Sequence, residues 1–381
     1  MIEQSTVNKI RNIVFYVMFS IELVGMLYEK SSGTIPYQSY IFRVTFMMSC
    51  FVVVLTKHDL REWLVIAAIC VLGFYCYRHT GRNDLWRVMV FTIACKDIDI
   101  KKALKYAFWV TFIGSLLIAF LSISGIYGDI SLTEVYRKNE DPVTRYCFGF
   151  GHPNSLQTMA FVNTVLFVYV YNEFIKKYMY AVLLLLNGVV YYFSDSRTAF
   201  AVTVLFLIAC FIYKMWPQFL HSYFYTVGCV FLYLFSFAFS MWAAFTADKT
   251  WWDYNIQHQV DAFLNGRIMS IYFDSLNRRG WAGSWSLFSD SISNEFFDMG
   301  WVRLYYWYGI IPATLIVILI FTLLLKCSQD KDVMTAYVIA FVAFYTIVEA
   351  HFVSDYIGRN FVLLIIGERM FRLCKKKEES T

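Results

Sequence analysis

Apolar residues run along this chain in blocks of 11 to 24, separated by short polar segments that hold most of the charge. A membrane-spanning helix needs about 20 mostly apolar residues. Twelve blocks approach that length, at residues 10–27, 40–55, 63–77, 85–95, 103–126, 156–171, 178–193, 198–213, 224–245, 302–325, 333–348 and 356–371. The fourth is the weakest, because its apolar core is short and Arg87 intrudes. The pattern predicts an all-α polytopic membrane protein of about twelve transmembrane helices, with residues 1–381 as a single integral membrane domain. No small-residue cleavage site follows the first block, which reads as a retained helix. Two polar segments are longer than the rest, 127–154 and 246–300. A structureless loop as long as the second is uncommon, so short helices are expected within it. Its stretch Arg267–Leu276 spaces apolar residues helically and is expected to lie along the membrane surface.

Composition agrees. Hydrophobic residues make up 59% of the 381 and charged residues only 16%, against roughly 25% charged in an average soluble domain. A soluble chain this apolar could not cover itself with polar surface. The cysteines are scattered, mostly inside apolar blocks and with no CxxC pair, which argues against a disulfide or metal framework.

Charge sets the orientation, since cytoplasmic loops carry an excess of basic residues. With the N-terminus inside, the inner segments hold 14 Lys and 4 Arg, and the outer segments 3 Lys and 12 Arg. An even helix count returns both termini to the cytoplasm, and the segment 246–300 becomes one large extracytoplasmic loop. The inner lysines are the ordinary topology signal. The outer arginines run against it: Arg43, Arg78, Arg82, Arg87, Arg137, Arg145, Arg197, Arg267, Arg278, Arg279, Arg303 and Arg359.

Guanidinium is planar, permanently charged and matches phosphate oxygens two at a time. Such a set near headgroup depth suits a membrane-embedded diphosphate. The competing reading is ion pairing with Glu29, Asp84, Asp129 and Asp355, or snorkelling to lipid headgroups. Arg197 lies in a very short turn, Ser194-Asp195-Ser196-Arg197-Thr198, where charge so close to the bilayer tends to be functional; a local pair with Asp195 is the alternative. His152, in the run Phe148-Gly149-Phe150-Gly151-His152-Pro153-Asn154, is placed to take a proton from a sugar hydroxyl or to cap the sixth helix. His351, beside Glu349 and Asp355, is a rival base. Trp251, Trp252, Trp281 and Trp285 offer flat faces to sugar rings, or form an interfacial belt. Asp298 is suited to orienting an arginine or accepting a hydroxyl proton. A Gly-rich phosphate loop, an HExxH helix and an acidic cluster for a hard metal are all lacking, which argues against an ATP-driven pump and a metal-dependent sugar-nucleotide transferase.

At these residues the chain resembles the Wzy-type polysaccharide polymerases, relatives of the O-antigen ligases, and most of all their Gram-positive capsule and exopolysaccharide members. The resemblance rests on the Phe148–Asn154 run, the Ser194–Thr198 turn, and Asn265-Gly266-Arg267 followed by Asp298-Met299-Gly300-Trp301 and Tyr308-Gly309-Ile310-Ile311. That last region often reads Asp-Asn-x-Tyr in such families, and this chain departs from it at Met299 and Trp301.

The resemblance implies a metal-independent, cofactor-free glycosyl transfer on the outer face of a bacterial cytoplasmic membrane. A glycan would pass from polyprenyl diphosphate to a sugar hydroxyl of a second lipid-linked unit. Charge growing on the diphosphate as it leaves then places Arg197 and Arg267 there with Arg145 in support, and His152 at the acceptor as base or orienter, with an arginine or Asp298 as the alternative acceptor partner. Asn154, Arg278, Arg303, Trp281 and Trp285 complete the expected substrate-binding set. A flippase and a chain-length regulator are the expected protein partners, and nucleic acid is not. A glycan ligase of the same superfamily and a flippase for lipid-linked saccharide remain alternative readings. Charge crowded toward one face favours a one-sided enzyme over a flippase.

Overall fold

Burial along the first helix separates two apolar faces. Helix α1 (Gln4–Lys30) turns Phe15, Met18, Phe19, Leu23 and Met26 inward, while Ile13, Val17 and Val24 on the other side are 64%, 48% and 58% exposed. A helix in water backs its apolar stripe with a polar one. Here the outward face is apolar as well, and the same holds for Met47 and Val54 on α2 (Gln38–Leu55) and Leu185 on α7 (Lys177–Ser194). An apolar perimeter of this extent faces hydrocarbon rather than water.

The structure, a computed structural model, describes residues 4–31, 33–134, 142–216, 224–252, 254–274, 278, 280–289, 297–350 and 353–374. Among them are fifteen α-helical segments. The others are α3 (Leu60–Thr80), α4 (Asp84–Ala94), α5 (Ile100–Ile123), α6 (Pro153–Tyr171), α8 (Arg197–Met215), α9 (Phe224–Thr246), α10 (Ile256–Phe263), α11 (Arg267–Met269), α12 (Gly300–Tyr308), α13 (Ile310–Gln329), α14 (Val333–Tyr345) and α15 (Val362–Cys374). Seven helices are long and apolar enough to cross a membrane: α1, α2, α3, α5, α8, α9 and α13. The chain is an all-α, multi-pass membrane protein.

The middle of the bundle is α14. Every one of its residues but Phe344 is buried, and it packs against α6, α8, α9, α13 and α15. A helix apolar on all sides belongs in such a place. Its Tyr345 ends at the chemistry described below.

Contacts between loops sort the bundle into two ends. At one end Arg11 donates to the Asp97 carbonyl (3.1 Å), Lys96 to the Lys57 carbonyl (2.5 Å), Lys101 to Glu173 (2.8 Å) and Lys214 to the Asn172 carbonyl (3.0 Å). At the other, Arg82 meets Asp355 (3.0 Å), Arg87 the Asp355 carbonyl (3.1 Å) and Arg145 the Ser194 carbonyl (2.6 Å), and Arg359 pairs with Glu29. One end is rich in lysine and the other in arginine.

Several elements depart from the sequence pattern. The block 85–95 forms a helix of 11 residues, about 16 Å long at 1.5 Å per residue, which is short of a bilayer. The block 302–325 is broken at Gly309 into α12 and α13. The block 356–371 opens with a 3-10 turn, Ile357–Arg359, before α15. The expected surface helix at 267–276 is instead the single turn α11 followed by a π turn, Ser270–Asp274, with Ile268 and Ile271 fully buried in the protein. The segment 127–154 carries an antiparallel pair that its apolar pattern does not predict, β1 (Ser131–Glu134) with β2 (Val143–Tyr146), Leu132 opposite Arg145.

Candidate functional site

The run from Phe148 to Asn154 folds as it does because two successive residues take positive φ, Phe148 at 43° and Gly149 at 79°. A Cβ on Gly149 would stand 2.9 Å from Ser122 Cβ and 3.0 Å from the Ile118 carbonyl oxygen, so glycine is needed for space as well as for φ. The Gly151 amide then donates to the Lys30 carbonyl (2.9 Å), seating the turn on the end of α1. His152 caps α6, with Pro153 at the first helical position. The Asn154 amide donates to His152 Nδ1 (3.1 Å). In the neutral ring this places the proton on Nε2.

Arg145 projects from β2 into the same region and is 6% exposed. Its Nε donates to the Ser194 carbonyl (2.6 Å) and a terminal nitrogen to Asn154 Oδ1 (3.0 Å). It therefore ties the His152 turn to the end of α7. Ser194 is fully buried, its hydroxyl against Gln157 Oε1 (3.2 Å), and Asp195 turns the chain at φ 44°. Arg197 begins α8 with its side chain 71% exposed and Asp195 as its carboxylate neighbour (3.5 Å).

The second half of the site comes from the loop before α12. Asn265 and Gly266 take φ of 56° and 79°, and the buried Asp261 carboxylate accepts from the amides of Ile268 (2.6 Å) and Met269 (3.0 Å). This tight turn fixes Arg267, whose Nε donates to Asp298 Oδ2 (3.1 Å). The Arg267 side chain is 10% exposed and that of Asp298 is 49% exposed.

Glu349 joins the two halves. It lies in the irregular segment after α14, and its carboxyl feels Lys30, Asp298, Arg267 and Arg359. Burial pushes that carboxyl above the usual range; Lys30 opposes the shift, Asp298 adds to it, and Arg267 and Arg359 pull it back. Lys30, 9% exposed, has Arg359, Glu349, Glu29 and Arg303 as electrostatic neighbours. Tyr345, last in α14, shares a hydrogen bond with Thr158 of α6 (2.7 Å) and lies in the field of Glu349, Arg267 and Asp298. Glu349 thus stands in the field of the Arg267–Asp298 pair and of Lys30, whose carbonyl seats the turn that bears His152.

Other arginines are held by local partners. Arg82 and Arg303 each stand 3.7 Å from the centroid of the Trp307 ring, and Arg87 stands 3.6 Å from that of Phe42 while pairing with Glu22. Arg278 reaches the Tyr272 hydroxyl (2.6 Å). Trp285 stacks on Tyr305 at 5.1 Å, and Trp281 meets Tyr272 edge-on at 5.9 Å; both indoles are half-buried. Trp251 and Trp252 are 64% and 54% exposed. Arg137, Arg279 and His351 lie outside the described residues.

Hydrogen bonds gather Arg145, Asn154 and His152 with the Ser194 turn and pair Arg267 with Asp298; Glu349 lies within electrostatic range of that pair and of Lys30. They do not join Arg197, Arg278, Trp281 or Trp285 to either group. Lys30 was not anticipated. It is one of the three lysines assigned to the arginine-rich side, with Lys138 and Lys249, and that exception was the available signal.

No family model matches the chain, and neither the curated proteins nor the solved structures contain a match to it.

Proposed function

We propose that the chain crosses the cytoplasmic membrane of a bacterium twelve times, with both termini inside and the arginine-rich end outside, and that this end lengthens a lipid-linked polysaccharide. The observations that carry the reading are the Arg267–Asp298 pair, Glu349 in the field of that pair and of Lys30, and the seating of the His152 turn on the Lys30 carbonyl. The α12–α13 pair counts as one broken crossing, and α4, α14 and α15 as short ones; non-helical backbone at membrane depth is tolerated where protein surrounds it.

The donor is a saccharide on polyprenyl diphosphate, and the acceptor is a hydroxyl of a second lipid-linked unit. As the glycosidic bond breaks, negative charge grows on the departing diphosphate. Arg267, aimed by Asp298, and Lys30 stabilise that charge more in the transition state than in the ground state. Glu349, whose proton affinity burial raises, takes the acceptor proton; a base of this kind contributes about 10²–10⁴-fold. His152, set at the start of α6, orients a sugar. Arg145 and Asn154 hold that turn in place, and Arg197 meets substrate at the rim. Asp298 is the alternative base, since one of its oxygens is left over from the Arg267 pair.

The test is purified protein given a synthetic lipid-linked repeat unit. Products that grow by whole units establish the polymerase. Glycan moved to a lipid or protein acceptor establishes a ligase. Substrate carried across liposomes with no new bond establishes a flippase and removes the proposal.

A further inference from the structure

The short helix α10 is built the wrong way round for water. Its inward face carries Asp261, which accepts from the Ile268 and Met269 amides, and His258, whose Nδ1 donates to the Thr250 carbonyl (2.8 Å). Its outward face carries Ile256 and Phe263, 68% and 84% exposed, with Gln259 between them. A helix facing water turns its charged side out and its apolar side in. The flanking chain shares this exposure. Trp251 and Trp252 precede α10, and the Trp251 ring meets that of the exposed Phe273 at 5.4 Å. Isolated apolar residues on a surface are ordinary, but a run of large ones in one short stretch is not.

What covers this stretch follows from α9. With the 3-10 turn Ala247–Lys249 that extends it, α9 makes one apolar span of 26 residues, Phe224–Lys249, about 39 Å at 1.5 Å per residue. The hydrocarbon core is about 30 Å thick, and the bilayer with its headgroups about 40–45 Å. The span therefore ends in the headgroup layer, where tryptophans gather, and Trp251 and Trp252 follow at once. The His258–Thr250 bond, and one from Asn255 Nδ2 to the Lys249 carbonyl (3.1 Å), hold α10 to the end of that span.

We propose that α10 and its flanks form an interfacial foot. Trp251, Trp252, Ile256, Phe263 and Phe273 seat in the phospholipid leaflet at the arginine-rich end, and Tyr254 stays at the watery rim. Asp261 lies on the same helix, so the leaflet steadies the turn that aims Arg267. Seating needs the membrane setting but not glycan transfer, so either can fail alone.

The test uses the full-length protein in vesicles of phosphatidylcholine and phosphatidylglycerol. The photoreactive residue p-benzoylphenylalanine is placed in turn at Ile256, at Phe263 and, as a reference on the apolar perimeter of α9, at Phe231, which is 63% exposed. After irradiation, mass spectrometry should show phospholipid adducts at all three. Adducts at Phe231 alone, or crosslinks from Ile256 and Phe263 to a second copy of the chain, would overturn the proposal. The link to Arg267 is read by amide hydrogen exchange in the same vesicles. Ile256→Asp combined with Phe263→Asp should speed exchange in the peptide spanning Ile268 and Met269 about ten-fold, the low end of what burying one large apolar side chain is worth, while α6 is unchanged. Equal exchange in the double variant and the wild type would overturn the link.

Discussion

Arg267 shows how much a single guanidinium can do when its direction is fixed. Asp298 holds Nε and the Leu264 carbonyl accepts from one terminal nitrogen (3.3 Å), so the guanidinium plane is fixed from two sides. Lysine keeps the charge but loses the planar fork. Arg267→Lys should therefore lower turnover by roughly 10²-fold at normal protein abundance; wild-type rates would remove the diphosphate assignment. His152→Ala should lower kcat more than it raises KM, and a parallel loss of folded protein would reduce the residue to its helix-capping part. Glu349 gives a pH signature. As a base it must be deprotonated, so the acid limb of the kcat profile should lie above the ordinary carboxylate range and vanish in Glu349→Gln. The same carboxyl binds its proton more tightly folded than unfolded. Stability should then decline as pH rises from the ordinary glutamate value through the raised one, and Glu349→Gln should flatten that slope. An unchanged profile in the variant would take Glu349 out of the mechanism.

At the scale of elements, the broken helix is the feature most open to test. Gly309 takes φ 92°, and a Cβ there would stand 2.5 Å from Phe288 Cα and 2.5 Å from the Ser289 nitrogen. The break is sealed by the passing loop: the Ile310 and Ile311 amides donate to the Ser286 and Leu287 carbonyls, both at 3.0 Å. Gly309→Ala should cost about 1–3 kcal/mol, read as a lower melting temperature in detergent; an unchanged melt would mean the break tolerates a side chain. Most helices were legible because apolar length is a strong local signal. The break was not, because the block around it is long and mostly apolar and masks the local signal of Gly309 followed by Pro312, while the passing residues 286–289 that seal it lie some way off in sequence. The hairpin escaped notice for a similar reason: four-residue strands are too short for a period to stand out. The pairing of Asp298 with an arginine was one of two readings of that residue, whereas the link from α1 to α14 through Lys30 and Glu349 spans most of the chain and leaves no local trace.

The whole molecule is one bundle with two chemically different ends. In the proposed orientation the lysine-rich end follows the usual sidedness of membrane proteins. The arginine-rich end does not, and there the buried arginines are mostly neutralised by carboxylates or covered by aromatic rings. Sidedness can be checked directly with single cysteines. Tyr254→Cys, at a position 78% exposed on the arginine-rich side, should react with an impermeant maleimide in intact cells. Lys101→Cys, where the lysine pairs with Glu173, should react only after lysis; the reverse pattern would invert the orientation.

The most direct measurement of the central claim is photo-crosslinking with a polyprenyl diphosphate whose reactive group sits next to the phosphates, followed by mapping of the labelled peptides. Label concentrated on the peptides around Lys30, Arg267 and Glu349, and displaced by unlabelled lipid diphosphate, is the expected result. Label spread over the exposed apolar faces of α2, α5 and α7, with those three peptides unmarked, would contradict it.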